Sequence, residues 1–305
     1  MALRTQLRLF ALLACLAVPA LAVAHGIAGK RFFPATPTTD DPFVADELSL
    51  PLITQRQLPD VLQTRISGEY TKRVTQNFGI GFGVNHLRLA NEQGVAKGFD
   101  NLSLSAKYQF YKSDAREAVA SIGVDWDVGG SGAKAVGAES FSTVTPGLFV
   151  GKGFGDLPDS VKYLRPFAVT SALGVAIPSR KRSTTIDDMG NEAIEEHPDV
   201  LKLGFAVEYS LPYLQSFVKD VGLREPFNRL IPLVEFDLQK PIDRGATRLS
   251  GTVNPGIVWA GRYMQFALEA IVPVNSLSGS RSGVLLQVHF FIDDIFPRSF
   301  GRPVF

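Results

Sequence analysis

Asp125 and Asp127 stand two residues apart, and Glu235 and Asp237 repeat that spacing. In an extended chain, residues two apart project from the same face. Each pair would therefore present two carboxylates side by side, either as reactive groups or as the charged wall of a polar passage. Nothing nearby supports catalysis. His25, His86, His197 and His289 are scattered, without metal-ligand spacing. Asn85-His86 has the sound of a lipid-hydrolase pair, but the position two after the histidine is Arg88 and not serine. Gly79, Gly81 and Gly83 alternate with Phe78, Ile80, Phe82 and Val84. A dinucleotide fingerprint needs a strand, a glycine turn and then a helix, so these glycines read as the crowded face of a strand. The stretch from Gly129 to Gly137 lacks the Lys-Ser/Thr ending of a phosphate loop. The sequence thus predicts no catalytic residue, no metal ligand and no cofactor.

The elements that would position the acidic pairs are strands. Leu102, Leu104, Ala106, Tyr108 and Phe110 alternate with Ser103, Ser105, Lys107 and Gln109. The same period of two runs through Ala120 to Val128, Leu201 to Ser210 and Tyr263 to Ala270. Twelve strands are expected near 46–54, 63–73, 77–88, 99–111, 116–128, 141–153, 162–177, 198–211, 229–240, 247–259, 262–275 and 283–293, with ten or fourteen as alternatives. Most are longer than the roughly 5–6 residues usual in soluble strands, and the best of them match the roughly 9–11 of a tilted membrane strand. Short connections alternate with long ones, as in outer-membrane barrels with short periplasmic turns and long outer loops. One connection departs from that rule. The span 212–228 is long where a turn is due, and Leu214, Phe217, Val218 and Val221 follow helical spacing, so a short periplasmic helix is expected there. Pro146, Pro232 and Pro255 fall inside expected strands, where proline removes a ladder hydrogen bond and marks a bulge or an edge.

Composition narrows the class. The 31 Lys+Arg against 30 Asp+Glu exclude the basic surplus of a nucleic-acid binder. Arg4 and Arg8, the apolar run Leu9 to Leu21 and Ala22-Val23-Ala24 form a secretory signal expected to be cleaved after Ala24. A membrane anchor and a lipoprotein signal at Cys15 are the rival readings of that segment. Cys15 is the one cysteine, so the mature chain has no disulfide framework. Beyond the signal no apolar run approaches the about 20 residues of a membrane helix. The Pro- and Thr-rich stretch 25–45 reads as an irregular periplasmic leader, 46–293 as the barrel and 294–305 as a tail.

Alternation assigns the two faces. Leu104, Val124, Leu203 and Leu268 should meet lipid. Lys107, Asp125, Asp127, Lys202, Glu208, Glu235, Asp237, Glu269 and His289 should line the lumen, where acids outnumber bases. That balance gives a mild preference for cationic or neutral solutes, unless the charges pair across the interior. Phe78, Tyr108, Phe110, Tyr111, Tyr209, Trp259, Tyr263, Phe290 and Phe291 fall at the periplasmic ends, as an aromatic girdle would. The outer loop 178–197 carries Arg180-Lys181-Arg182 and Glu192, Glu195 and Glu196, charges that suit either solvent or lipopolysaccharide phosphates bridged by divalent cations.

The segment Gly98-Phe99-Asp100-Asn101-Leu102-Ser103-Leu104-Ser105-Ala106-Lys107-Tyr108 resembles a recurrent strand of the outer-membrane transporters labelled "MetA-pathway of phenol degradation". In those proteins Gly-x-Asp-Leu leads into a long strand ending near Lys-Tyr; Asn101 is inserted relative to that pattern. The tail Phe296 to Phe305 is similar to that of proteobacterial relatives. The resemblance implies a barrel that carries small hydrophobic or aromatic solutes, and it brings no catalytic residue. Expected partners are outer-membrane lipid and lipopolysaccharide, the barrel-assembly machinery and an unidentified small solute. A structural barrel with a closed lumen, a barrel-embedded lipid hydrolase and a soluble periplasmic β-protein are the alternatives. Membrane fractionation with N-terminal sequencing is expected to recover the protein in the outer membrane, starting at His25. Recovery in soluble periplasm would count against the barrel.

Overall fold

The computed structural model describes residues 26–186, 192–243 and 248–305. The expected signal segment, its cleavage point and His25 lie outside these residues. Twelve long strands run antiparallel: β1 (Glu47–Gln57), β2 (Leu62–Arg73), β3 (Phe78–Asn91), β4 (Leu102–Ser113), β5 (Ala118–Val128), β6 (Thr143–Gly153), β7 (Phe167–Pro178), β8 (Val200–Tyr209), β9 (Leu230–Pro241), β10 (Ser250–Ala260), β11 (Met264–Pro273) and β12 (Arg281–Phe291). Each pairs with its sequence neighbours, and β12 returns to pair with β1. The sheet is therefore a closed ring, and every expected strand is present. Strand lengths of 10 to 14 residues suit a tilted membrane crossing. Among the described residues no helix is long and apolar enough to cross a membrane.

Both ends of the described chain share one end of the barrel, the turn end, with the short turns 74–77, 114–117 and 261–263 and the longer connections 154–166 and 210–229. The other end, the loop end, carries the remaining connections, of which 58–61 is the short one. There Gly94–Phe99 folds back on the upper half of β3, and Arg182–Ile186 pairs with Glu192–Glu196. The span 178–197 is thus largely a hairpin, with residues 187–191 outside the described set. Its Arg182 and Glu196 are paired at 2.7 Å, and Lys181 is paired with Asp199. At the turn end, the expected helix over 212–228 is shorter. It runs from Leu211 to Val218, ends in a π turn, and leaves Val221 in extended chain.

The prolines sit where one ladder is interrupted and the other continues. Pro146 pairs with Val124, while the β6–β7 ladder skips from Gly147↔Gly174 to Val144↔Ile177. Pro255 pairs with Val234, while the β10–β11 ladder skips from Val253↔Val272 to Gly256↔Glu269. Pro232 lies just below the last β8–β9 pair, Glu208↔Leu233. A missing N–H at each position therefore leaves one strand partner intact.

Leu104, Val124 and Leu268 are exposed on the outer face, and Leu203 is partly exposed beside the exposed Leu173. Tyr108, Phe110, Tyr111 and Tyr263 are exposed near the turn end. Phe291 departs from the expected girdle. It points inward and is buried against Phe32, with ring centroids 6.1 Å apart. An Arg at the bilayer midplane of a barrel costs about 2–4 kcal/mol. Leu203→Arg is therefore expected to impair refolding into liposomes by that amount, and Lys202→Leu, on the opposite face, by much less. Equal losses in urea-titrated refolding would contradict this assignment of faces.

Candidate functional site

The leader expected below the barrel lies inside it. Residues 26–46 enter from the turn end, form a two-rung hairpin (Ile27–Ala28 with Arg31–Phe32), and cross the lumen as irregular chain. Irregular backbone needs outside partners for its N–H and C=O groups, and the barrel wall supplies them. Glu235 of β9, fully buried, accepts from the Thr38 N–H at 3.1 Å and the Thr39 N–H at 2.6 Å. Asn254 of β10 donates to the Thr38 hydroxyl at 3.0 Å, and that hydroxyl donates to Glu269 of β11 at 3.5 Å. Gln265 of β11 donates to the Ala35 carbonyl, and Ser121 of β5 to the Pro42 carbonyl.

Small residues on the wall admit the leader. A Cβ at Gly204 would stand 3.1 Å from Thr39 Cγ2, and one at Gly151 3.0 Å from Pro42 Cγ. Apolar contact completes the seat, with Ala28, Phe33 and Phe43 packed on Val119 and Ala168. Burying each phenylalanine contributes roughly 1.5–3 kcal/mol.

Arg31 locks the entrance. It is fully buried, with Nε 3.4 Å from Glu117 Oε2, Nη1 donating to the Pro166 carbonyl at 2.8 Å, and Nη2 donating to the Arg165 carbonyl. The Tyr213 ring lies 4.0 Å from its guanidinium, and the Tyr213 hydroxyl donates to Glu117 Oε1 at 2.9 Å. Burial, followed by that hydrogen bond to Glu117, pushes the Tyr213 hydroxyl up to about 12. It therefore remains a donor near neutral pH. The short helix after β8 thus holds the leader as well as capping the barrel. A second node sits where the leader joins β1. Asp46 pairs with Lys72 at 2.6 Å and Arg73 at 2.7 Å, and these bases also bind carbonyls of the C-terminal tail.

The predicted lumenal residues divide into two sets. Glu208, Glu235 and Glu269 are buried, and the last two hold the leader. Lys107, Asp125, Asp127, Lys202 and His289 line a cavity of about 400 Å3 above the leader, together with Asp40, Asp41, Glu47 and Glu69. Asp237 lines an adjoining cavity of about 330 Å3 toward the loop end. Glu69, Gly83 and Ser103 border both spaces, so the two are neighbours. Lys107 pairs with Asp40 of the leader at 2.8 Å, and His289 Nε2 is 3.4 Å from Glu47. Part of the lumenal charge is therefore neutralised locally.

Sequence reading missed three parts of this site: the leader itself, and Arg56 and Arg65 in the upper cavity. The arginines carried a signal, since each occupies the inward phase of its strand. The leader carried none. Asn85 and His86 do not form a pair. Asn85 faces inward and accepts from Ser67 at 2.6 Å, whereas His86 faces outward against Phe99. His197 Nε2 and the Ser183 hydroxyl are hydrogen-bonded across the outer hairpin at 2.8 Å. Among the described residues no cluster of three or more His, Cys, Asp or Glu could hold a metal ion.

A closed twelve-stranded antiparallel ring with a polar, partly filled lumen defines an outer-membrane-type β-barrel. No family model matches the chain, and no curated protein matches it. Among solved structures, the "COG4313 outer membrane channel from Pseudomonas putida F1" matches with a TM-score of 0.56 at 12% identity, covering 85% of this chain and 99% of that one. The KdgM porin matches with a TM-score of 0.46 at 11% identity, over 80% of this chain and 98% of that one. The NanC porin matches with a TM-score of 0.46 at 8% identity, over 79% and 98%. At these identities the first match establishes a shared fold, that of an outer-membrane barrel. The MetA-pathway family itself is not matched.

Asp41 gives the leader a pH dependence. Its carboxyl borders the lumenal cavity. Burial, followed by the Glu47 carboxylate, pushes it up from 3.8 to about 7 against the pull of Lys107. Seating thus favours the protonated form. Its contribution is full below about 4 and is lost as pH rises through about 7. Hydrogen exchange at the Thr38, Thr39 and Phe43 amides, corrected for intrinsic rate, is expected to accelerate between pH 5 and 8. Asp41→Asn should flatten that change. An equally steep profile in the variant would remove Asp41 from the account.

Proposed function

We propose that this chain is an outer-membrane channel for small solutes, held closed at its turn end by its own leader. The observation that carries this reading is the leader threaded through the lumen beside two neighbouring polar cavities. A side-chain-filled lumen would leave no such space. The leader joins the wall covalently where it runs into β1, and its other anchors are hydrogen bonds, ion pairs and the apolar seat of Phe33 and Phe43, all of which can be exchanged. The lining residues Lys107, Asp125, Asp127, Lys202, Asp237 and His289 tune which solutes enter. Their excess of acids raises the local cation concentration, because field lines focus between low-dielectric walls. Export by the N-terminal signal with cleavage after Ala24, contact with lipid and lipopolysaccharide, and insertion by the barrel-assembly machinery belong to the same reading.

The resemblance to phenol-degradation barrels points to aromatic or hydrophobic solutes. The walls are polar and charged, which favours an apolar body that carries a polar or charged head. The tight seat of Phe33 and Arg31 favours a second reading, a structural barrel whose lumen stays closed.

Conductance in planar bilayers separates the two. The full-length protein is expected to conduct weakly, and deletion of 26–45 to raise the conductance several-fold, in a barrel whose folding is checked by heat-modifiable mobility. Asp125→Asn with Asp127→Asn should shift the reversal potential toward anions at low salt. That shift should fade at 1 M, where the Debye length is about 3 Å. A folded deletion variant that conducts no more than the full chain would establish the closed structural barrel.

A further inference from the structure

The upper cavity holds two arginines that, among the described residues, no carboxylate contacts, with Asp237 and Glu69 lining the same space. Arg56 of β1 lies opposite Gln63 of β2, and Arg65 lies opposite Thr54. The two arginines are diagonal neighbours on one lumenal face, with backbones roughly 7–8 Å apart. Arg56 Nε donates to Gln63 Oε1 at 3.0 Å, and Arg65 Nε is buried without a hydrogen-bond partner. Among the described residues neither guanidinium forms an ion pair. Asp237 acts on Arg56, and Asp127 on Arg65, from beyond contact distance. Two like charges side by side repel, and their donors are left short of acceptors. One bridging oxyanion would relieve both penalties, since the guanidinium fork matches a carboxylate in two parallel hydrogen bonds.

The rest of the chamber narrows the class. Leu52, Ile271 and Leu285 form an apolar wall in the same cavity. Ser67 fixes the Asn85 amide by donating to its oxygen, which leaves the amide nitrogen as a further donor. A volume of about 330 Å3 lies at the small end of ligand sites. Glu69 and Asp237 in the same cavity, and Asp125 and Asp127 in the neighbouring one, repel an anion, so one would be held only where the two guanidiniums stand together.

We infer that Arg56 and Arg65 form a binding site for the carboxylate of a small organic acid, with its apolar body against Leu52, Ile271 and Leu285. This deepens the channel reading and depends on it only for how the solute arrives.

The test is calorimetric titration of the folded, full-length protein in detergent with benzoate, benzyl alcohol, benzylamine and inorganic phosphate. Benzoate is expected to bind at least tenfold more tightly than the alcohol or the amine, and more tightly than phosphate. Its affinity should weaken as salt rises. Arg56→Gln and Arg65→Gln should each weaken benzoate by roughly tenfold or more. Arg65→Lys, which keeps the charge and loses the fork, should fall between. Heat-modifiable mobility confirms that each variant folds. Unchanged benzoate affinity in the folded double glutamine variant would overturn the site. Tighter binding of phosphate, or equal binding of the alcohol, would overturn the carboxylate assignment. Benzoate binding to a barrel that never conducts would sink the channel and leave the site standing. A conducting barrel indifferent to these substitutions would do the reverse.

Discussion

The pairing of β12 with β1 turns an open sheet into a ring, and most of the molecule follows from that closure. In hydrocarbon no water satisfies a bare N–H or C=O, so a membrane sheet cannot keep an edge. Closure then forces the remaining assignments. Each strand must alternate one face to lipid and one to the lumen, prolines must sit where a ladder can be interrupted, and connections must fall at two ends. Pro146, Pro255 and Pro232 each disturb no more than one of their two ladders, whereas Pro51 sits at a bulge that interrupts both ladders of β1.

A ring of twelve strands encloses more space than the inward side chains fill, and here the leader takes up part of the difference. It has almost no regular structure of its own. Its amides and carbonyls are satisfied by Glu235, Gln265 and Ser121, residues that face a lumen and would otherwise face water. The arrangement is reciprocal. A carboxylate as deeply buried as Glu235 needs donors, and the Thr38 and Thr39 amides supply them. Arg31 and Glu117 repeat the logic at the entrance with full charges, where loss of one partner would strand the other.

Charge is graded along the lumen. Buried acids hold the leader, a mixed but mainly acidic cavity lies above it, and a second cavity sets Arg56 and Arg65 in one space with Glu69 and Asp237.

Twelve strands, their approximate limits and the lipid-facing phase of Leu104, Val124 and Leu268 were legible in the amino-acid order, because alternation is a local property with a period of two residues. The inward phase of Asp125, Asp127, Lys107 and Lys202 followed from the same arithmetic. What no local pattern encodes is which inward residues meet each other. Arg31 finds Glu117 across 86 residues, and Thr39 finds Glu235 across 196. The leader reads as irregular chain because it is irregular; its order comes from the wall around it. Arg56 and Arg65 become a pair through the register of β1 against β2, and a shift of one residue would turn Arg65 out to lipid. The sequence by itself determined a barrel and its two faces, since backbone geometry sets them strand by strand. The tertiary structure alone decided that the lumen is plugged and where its charges stay unpaired, since both depend on closing the ring.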